Sequence, residues 1–302
     1  MSEIRFDDRV AIVTGAGGSL GKTYALDFAK RGAKVVVNDL GGALDGSGGG
    51  SAMADEVVKE ITEAGGTAVA NYDSVATPEG GEAIVKTAVD HFGKVDVVIN
   101  NAGILRDKSF VKMSAEELEI VLDVHLKGAF FVSQPAFRIM KKNGYGRFVF
   151  TTSAAGIYGG FGQANYGAAK MGLVGLSNVL AVEGKKSNIR SNVISPLALS
   201  RLNEDITTSA LAEHISPECV MPLVTYLASE ACEQTHEIYS VGGGRFARIF
   251  LGLAPGYFAG KGAKIDAEEI QANMEQIRNP EGYIIPAKVS DEMKLVLAAF
   301  QE

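Results

Sequence analysis

A glycine-rich turn between an apolar strand and an amphipathic stretch limits this chain to few folds. Residues 9–14 form an almost continuous apolar run, which is typical of a strand in a parallel sheet covered on both faces. Seven residues from Gly15 to Gly21 follow, four of them glycine, and an amphipathic stretch over 22–31 then ends at Gly32, a usual helix stop. This order favours a turn whose backbone approaches a pyrophosphate at a helix N-terminus, with an ordinary strand-to-helix turn as the alternative.

The next predicted strand ends in an acidic residue, Asp39. A carboxylate at the end of the second strand can hold the ribose hydroxyls of NAD and would repel the 2′-phosphate of NADP. Lys22 follows the glycine turn and is a counter-argument in favour of NADP, although solvent or a phosphate is its expected contact. We therefore predict NAD as the cofactor. The glycine-rich stretch over 41–51 is expected to be either a flexible loop or a loop near the adenosine end of this cofactor.

Apolar runs and amphipathic stretches alternate along the chain. Strands are predicted near residues 9–14, 34–39, 67–71, 95–100, 146–152, 188–194 and 237–241. This alternation predicts an α/β fold, a Rossmann-type doubly wound parallel sheet, in a single domain over 1–244. A C-terminal extension over 245–302 is expected to pack on the same domain as a substrate cover or a dimer contact. In it, Asp266 is expected to cap a helix that ends at Asn279.

Ser153, Tyr166 and Lys170 carry side chains that suit the interconversion of an alcohol and a carbonyl. Tyr166 and Lys170 are four residues apart, so on a helix they share one face. An ammonium beside a phenol lowers the phenol pKa from about 10 towards working pH, and such a tyrosine can exchange a proton with an alcohol while a hydride is transferred. The Tyr–Lys spacing alone occurs by chance in many helices, so this interpretation depends on the glycine turn and Asp39.

Together these motifs resemble the short-chain dehydrogenase/reductase family. The matching pieces are Thr14-Gly15-x-x-x-x-x-Gly21, Asn100-Asn101-Ala102-Gly103, Ser153, Tyr166-x-x-x-Lys170 and Ser195-Pro196. Local runs over 35–42, 70–75, 101–107 and 162–170 are similar to the (3R)-hydroxyacyl-CoA dehydrogenase modules of peroxisomal multifunctional β-oxidation enzymes and to free-standing bacterial relatives. The resemblance covers nearly the whole chain and weakens after Gly244.

The resemblance implies roles for individual residues. Ser153 would orient the substrate oxygen, Tyr166 would act as the base, and Lys170 would lower the tyrosine pKa and bind the ribose hydroxyls. Since ligands of such sheets lie beyond the carboxyl ends of the strands, the expected cofactor contacts are Gly15, Ser19, Leu20, Gly21, Asp39, Asp73, Ser74, Asn101, Ala102, Gly103, Tyr166, Lys170, Pro196, Ala198 and Ser200.

Two positions depart from the pattern of the family. Ser19 stands where glycine is usual and adds a Cβ atom where backbone passes close to phosphate, although its hydroxyl can also donate to a phosphate oxygen. His125 stands where most of the superfamily carries an asparagine. That asparagine holds a water molecule that relays protons through the catalytic lysine. The resemblance to the multifunctional enzymes implies a histidine at this position instead. The ring is expected either to anchor that water or to pack as a hydrogen-bonded core histidine.

Composition and charge exclude several classes of function. No stretch of the 302 residues approaches the roughly 20 apolar residues that span a bilayer, and a net charge of −7 argues against a nucleic-acid partner. Four scattered histidines and two cysteines show no metal-ligand spacing, so no metal is expected. A polyanionic CoA ester would need a local basic patch, for which the candidates are Arg106, Lys108, Lys112, Arg201, Arg245 and Arg248.

The chain ends and the cysteines favour the cytoplasm. Residues 1–8 are charged and lack a secretory apolar region, and the last three residues are not a peroxisomal address. Cys219 and Cys232 are expected to be free thiols. Small residues on the predicted helix over 171–182 permit close packing, and the resemblance implies a homodimer or homotetramer through it.

Three functions are open at this point. The first is oxidation of a (3R)-hydroxyacyl-CoA to the 3-oxoacyl-CoA with NAD⁺. The second is a dehydrogenase for a hydroxysteroid or another bulky secondary alcohol, since the same three side chains serve both reactions. The third is a non-enzymatic module, which would bind NAD without turnover.

Overall fold

The structure is a computed structural model, and it describes residues 3–43, 45–198 and 214–300. The chain divides into two compact units, 1–248 and 249–302. The boundary that we expect from the sequence lies at 244. Packing of the C-terminal unit on the first remains a prediction.

The predicted doubly wound sheet is confirmed in the first unit. Within the described residues the strands are β1 (Val10–Thr14), β2 (Lys34–Asn38), β3 (Thr67–Asn71), β4 (Val97–Asn100), β5 (Gly146–Thr151), β6 (Ile189–Pro196), β7 (Ile238–Gly242) and β8 (Arg245–Ile249). Their order is β3-β2-β1-β4-β5-β6-β7-β8, and the pairings from β3 through β7 are parallel. The eighth strand was not predicted, because its two arginines and exposed residues hide the apolar pattern of a strand.

Helices alternate with the strands along the first unit, and three further helices are described in the second unit. Within the described residues they are α1 (Ser19–Lys30), α2 (Ala52–Glu63), α3 (Pro78–Phe92), α4 (Ala115–Leu122), α5 (Gly128–Asn143), α6 (Ala154–Tyr158), α7 (Ala164–Gly184), α8 (Met221–Ala228), α9 (Ala267–Ala272), α10 (Met274–Arg278) and α11 (Val289–Ala299). A π-type turn, Asp123–Lys127, joins α4 to α5. No helix in the described ranges is both long and apolar enough to cross a membrane.

The core lies between the sheet and its helices. Every residue of β1, β4 and β5 is buried, as expected for parallel strands covered on both faces. Parallel pairing brings the carboxyl ends of these strands to one edge of the sheet, where β1 lies between β2 and β4. That edge is where open α/β sheets bind their ligands.

The second unit shows one prediction that is partly wrong. Asp266 caps α9, since its Oδ1 accepts a hydrogen bond from the Glu269 amide at 2.9 Å. The expected single helix is interrupted after Ala272, however, and α10 begins at Met274. The side chain of Asn273 donates to the Glu269 carbonyl at 2.8 Å, and such a side-chain bond to the backbone competes with regular helix.

Candidate active site

The glycine turn is compact because the chain passes very close to itself. A Cβ atom at Gly21 would lie 2.1 Å from the Gly15 carbonyl oxygen, so no larger residue fits without a shift of the backbone. Gly15 has a φ of +63°, in the left-handed region that favours glycine. Helix α1 begins after Gly18 without a side-chain cap, so its first amide groups suit an anionic group such as a phosphate.

Thr14 and Asn101 lock the glycine turn to the end of β4. The Thr14 hydroxyl accepts from the amides of Asn101 and Ala102, each at 3.1 Å. The Asn101 side-chain amide donates to the Thr14 and Gly15 carbonyls at 3.1 and 3.2 Å. Asn101 was expected to be a cofactor contact, and here it fixes the turn that would hold the cofactor. The role of Thr14 was missed, although the residue belongs to the motif.

Asp39 lies where a ribose-binding carboxylate is expected. Its Oδ2 accepts from the Gly17 amide at 2.8 Å and its Oδ1 accepts from the Gly41 amide at 2.7 Å. Each oxygen of a carboxylate can accept a second hydrogen bond, so the group still suits ribose hydroxyls. A Cβ atom at Gly17 would lie 2.8 Å from Oδ2, and this close approach fits a dinucleotide cradle. The observed residues therefore fit a nicotinamide dinucleotide.

Ser19 occupies a strained backbone position. Its φ is +45°, and a residue with a Cβ pays roughly 1–2 kcal/mol in the left-handed region. This is the physical reason why glycine suits the position. The adjacent Leu20 packs against the core. Lys22 forms an ion pair with Glu60 at 2.7 Å, so its ammonium is already neutralised by a carboxylate.

The remaining expected cofactor contacts lie at strand ends, as the topology requires. Asp73 follows β3, where its Oδ2 accepts from the Asn71 side chain at 2.7 Å and its carbonyl accepts from the Asn38 side chain at 2.9 Å. Ser74 accepts from the Ala76 amide at 3.2 Å. Pro196 ends β6 and Ala198 is buried just after it. Ser200 and Arg201 lie outside the described residues.

The structure brings Ser153, Tyr166 and Lys170 together. Ser153 caps α6, with its hydroxyl accepting from the Ala155 amide at 3.2 Å, and it also hydrogen-bonds to the Tyr166 side chain. Lys170 is buried, and its Nζ lies 5.4 Å from the centre of the Tyr166 ring. The same Nζ donates to the Thr151 carbonyl at 2.7 Å. The end of β5 thus fixes the lysine beside the phenol.

The expected lowering of the Tyr166 pKa is wrong for the chain by itself. Burial raises the pKa of Tyr166, the hydrogen bond from Ser153 lowers it, and the charge of Asp107 raises it, with a net rise. Burial also lowers the pKa of Lys170 to about 7. A lysine with that pKa is only partly charged at neutral pH, so it gives the phenolate less than a full positive charge.

Asn165 is a site residue that the sequence reasoning missed. The side chain is fully buried and donates to the Arg106 carbonyl at 3.0 Å and the Glu117 carbonyl at 2.8 Å. Its Oδ1 accepts from the amide of Tyr166 at 2.8 Å. Asn165 therefore ties the start of α7 to the segment after β4. The only signal in the sequence is its position directly before Tyr166.

His125 packs edge-on against the ring of Tyr166. The ring centres are 5.2 Å apart with the planes at 90°. Its Nε2 lies 3.0 Å from the Ile104 amide nitrogen and 2.8 Å from the Ile104 carbonyl oxygen. Nδ1 is buried and has no hydrogen-bond partner among the described residues. Burial and the charge of Lys170 place the His125 pKa well below 6.5. The neutral ring is thus a hydrogen-bonded core histidine beside Tyr166, and a relay role remains a prediction.

Gly103, an expected cofactor contact, also makes room for this histidine. A Cβ atom at Gly103 would lie 2.4 Å from Cε1 of His125. The absence of a side chain here is therefore required by a protein neighbour as well as by the expected ribose.

Comparison with known proteins identifies the family. The family model described as short chain dehydrogenase matches residues 9–207. The chain belongs to the short-chain dehydrogenase family. This dehydrogenase is an oxidoreductase, and the doubly wound sheet described above is the fold of its family.

Three relatives are similar over most of this dehydrogenase. Peroxisomal multifunctional enzyme A of Dictyostelium discoideum is 50% identical over 98% of the chain, and peroxisomal multifunctional enzyme type 2 of Mus musculus is 55% identical over 82%. The chain spans 66% and 33% of the lengths of these two proteins. The crystal structure of a short chain dehydrogenase from Mycobacterium avium is 41% identical with a TM-score of 0.79, covering 91% of this chain and 98% of that one.

Other candidate groups on the dehydrogenase are already paired. Lys108 lies 3.7 Å from Glu117, and Arg248 lies 3.4 Å from Glu237. Arg245 donates to the Ser240 hydroxyl at 3.5 Å.

Cys219 and Cys232 are free thiols, as predicted. Among the described residues no group of three or more histidine, cysteine, aspartate or glutamate side chains could hold a metal ion.

Proposed function

We propose that this dehydrogenase uses NAD⁺ to oxidise the 3-hydroxyl group of a (3R)-hydroxyacyl-CoA to a 3-oxo group. The observation that carries the proposal is the grouping of Ser153, Tyr166 and Lys170 at the carboxyl edge of the sheet. The carboxylate of Asp39 at the same edge, bonded to the glycine turn, supports NAD over NADP. In the reaction, NAD⁺ would supply the hydride acceptor.

The protein groups would handle the proton of the alcohol. Ser153 would donate a hydrogen bond to the substrate oxygen, and the Tyr166 phenolate would remove the hydroxyl proton as the C–H electron pair leaves with the hydride. The products are the 3-oxoacyl-CoA, NADH and a proton. Burial raises the Tyr166 pKa, so a nearby positive charge is needed to stabilise the Tyr166 phenolate. Lys170 would supply this charge in its ammonium form.

An apolar rim beside Tyr166 supports an acyl substrate. Two segments are joined there by a hydrogen bond from the Lys108 amide to the Gly162 carbonyl at 2.8 Å and by one from the Gln163 side chain to Asp107 at 2.8 Å. Asp107 is close enough for its charge to raise the Tyr166 pKa. The same segments expose large apolar side chains that a hydrocarbon chain could cover, namely Phe110 at 80%, Val111 at 89%, Tyr158 at 73% and Phe161 at 97% of full exposure.

The CoA part of the proposal rests on the sequence resemblance and on the multifunctional relatives. Of the expected basic groups, Lys112 is exposed at the end of a short turn that includes two of the rim residues, Phe110–Lys112. It is the group we expect to meet a CoA phosphate.

The test is a panel of substrates in one assay. NADH formation is measured with (3R)- and (3S)-hydroxyacyl-CoA esters of several chain lengths and with hydroxysteroids, and NADP⁺ replaces NAD⁺ as the control. We expect turnover of the (3R) esters with NAD⁺. Turnover of steroids without preference for the CoA esters would replace this substrate with a bulky secondary alcohol, and NAD⁺ binding without any turnover would indicate a non-enzymatic module.

We also propose a homodimer or homotetramer in the cytoplasm. Helix α7 exposes Val179 and Val182 at 52% and 56%, an apolar surface that a second copy would cover. Light scattering coupled to size exclusion measures the assembly, and a monomer at micromolar concentration would contradict it. Fractionation of the source cells tests the location, against the peroxisomal location that the names of the relatives print.

A further inference from the structure

The glycine-rich segment after Asp39 is folded on itself. We call residues 41–43 and 45–50 the strap. Its base is closed by a hydrogen bond from the Gly50 amide to the Leu40 carbonyl at 2.9 Å. Nearer its tip, the Asp45 carboxylate accepts from the amide and the hydroxyl of Ser47 at 2.9 and 2.6 Å. Hydrogen bonds therefore hold the described residues of the strap in a hairpin-like loop.

The tip of the strap contacts the segment that follows β4. The Arg106 Nε donates to the Asp45 carbonyl at 2.6 Å, and its Nη2 lies 3.8 Å from the Asp45 carboxylate. A Cβ atom at Gly46 would lie 3.1 Å from Cδ1 of Ile104, so the strap backbone rests against that side chain. The short hydrogen bond from Arg106 is to the backbone carbonyl of Asp45. The Asp45 carboxylate adds only a long, exposed ion pair with Arg106.

The sheet order fixes what the strap crosses. The strap leaves the carboxyl end of β2 and touches residues beyond the carboxyl end of β4, and β1 lies between these strands. Since neighbouring strands are about 4.8 Å apart, the strap spans about 10 Å across the end of β1. The glycine turn begins at that point, with Gly15 directly after Thr14.

Arg106 also connects the strap to the catalytic helix. Its carbonyl accepts from the buried Asn165 side chain, which in turn accepts from the Tyr166 amide. At the other end of the strap, the Gly41 amide donates to the Asp39 carboxylate. Hydrogen bonds therefore link one end of the strap to the expected ribose carboxylate, and its tip, through Arg106 and Asn165, to the start of the helix that carries Tyr166.

We propose that the strap retains the bound dinucleotide and that Arg106 is the positioning residue that holds it closed. The inference rests on the proposed NAD function and deepens it. Release of the cofactor requires the bond between Arg106 and Asp45 to open, so this bond sets the residence time of NADH. It follows that Arg106, a candidate for the CoA patch, is committed to the strap instead.

The test compares Arg106→Ala with Arg138→Ala, a change at an exposed arginine of α5. Hydrogen exchange without cofactor reports opening of the strap, and stopped-flow fluorescence reports NADH release. In Arg106→Ala we expect faster exchange at the amides of the strap and NADH release about tenfold faster, in line with the loss of one charge-assisted hydrogen bond. Arg138→Ala should match the wild type in both.

A second variant separates the two contacts of Arg106. Asp45→Asn keeps the backbone carbonyl and an oxygen that can accept from Ser47, so its NADH release should stay within about twofold of the wild type, as expected for an exposed ion pair. A merely structural role for Arg106 would lower the unfolding free energy without changing release, and this result would overturn the proposal. So would unchanged exchange of the strap. Failure of the wild type to bind NADH would instead refute the proposed NAD function.

Discussion

The close approach of Gly103 to His125 allows a sharp test of the site. Gly103→Ala places a Cβ atom 2.4 Å from Cε1 of His125, whereas carbon atoms in contact are about 3.5–4.0 Å apart. The ring or the backbone must therefore shift by more than about 1 Å. The ring is held by Ile104 on one side and by Tyr166 on another, so it has little freedom to move.

The expected cost has two parts. Overpacking of a close-packed interior costs about 1–3 kcal/mol, which should appear as a lower free energy of unfolding in urea. Displacement of Tyr166 by the moving ring adds a loss of turnover, since a misplacement of about 1 Å can cost about 100-fold in rate. We therefore expect Gly103→Ala to lower both stability and kcat.

A double-mutant cycle with His125→Ala identifies the cause. Removal of the ring opens the space that the new Cβ needs, so adding Gly103→Ala to His125→Ala should cost far less than it does in the wild type, with a coupling of about 0.5–3 kcal/mol. Gly50→Ala is the stability control, because a Cβ there has no neighbour within 4 Å. The steric explanation fails if the effects of Gly103→Ala and His125→Ala on stability and kcat simply add. A rise in the KM for NAD⁺ as the main effect of Gly103→Ala would then show that the cofactor requires the glycine.

Three further predictions concern the groups of the site. Tyr166→Phe should lower kcat by about 100- to 10,000-fold through loss of the base. The control is Tyr226→Phe, which removes a hydroxyl that donates to Gln234 at 2.6 Å and should retain normal turnover in the same NADH assay. Near-normal turnover of Tyr166→Phe would remove Tyr166 from the mechanism. Ser19→Gly relieves a φ of +45° and should bind NAD at least as tightly by titration, so a clear loss of affinity would make the hydroxyl a ligand. Burial lowers the pKa of Lys170 from 10.5 to about 7, so between these values the unfolded chain binds more protons there. The wild type should therefore gain stability relative to Lys170→Met as pH rises from about 7 to 10.5, and a flat difference in urea unfolding would contradict the burial of the ammonium.

The sequence predicts the sheet well because its signals are local. A buried parallel strand reads as an apolar run, and the seven predicted strands all lie within or overlap observed ones. Strand β8 was missed because Arg245 and Arg248 interrupt any apolar run at an exposed edge. The break at Asn273 was missed because a polar side chain that bonds back to its own helix leaves no distinctive pattern.

The roles of the site residues were predicted unevenly. Tyr166 and Asp39 belong to motifs and can be selected from the sequence, and their roles remain predictions. Asn165 was missed because its partners lie 48 and 59 residues away along the chain. The Tyr166 pKa was predicted in the wrong direction because the desolvation of a phenol depends on everything packed around it.

Local sequence patterns are enough to predict the α/β class, the glycine turn, the acidic end of the second strand and the Ser–Tyr–Lys pattern. These features depend on residues that are close together in the sequence, so composition and spacing are enough to predict them. Three other features appear only in the folded chain: His125 leaves no room for a side chain at Gly103, the Thr151 carbonyl holds Lys170, and the strap reaches Arg106 across the end of β1. Such contacts join residues far apart in the chain, and their energies depend on burial and distance, which exist only after the chain has folded.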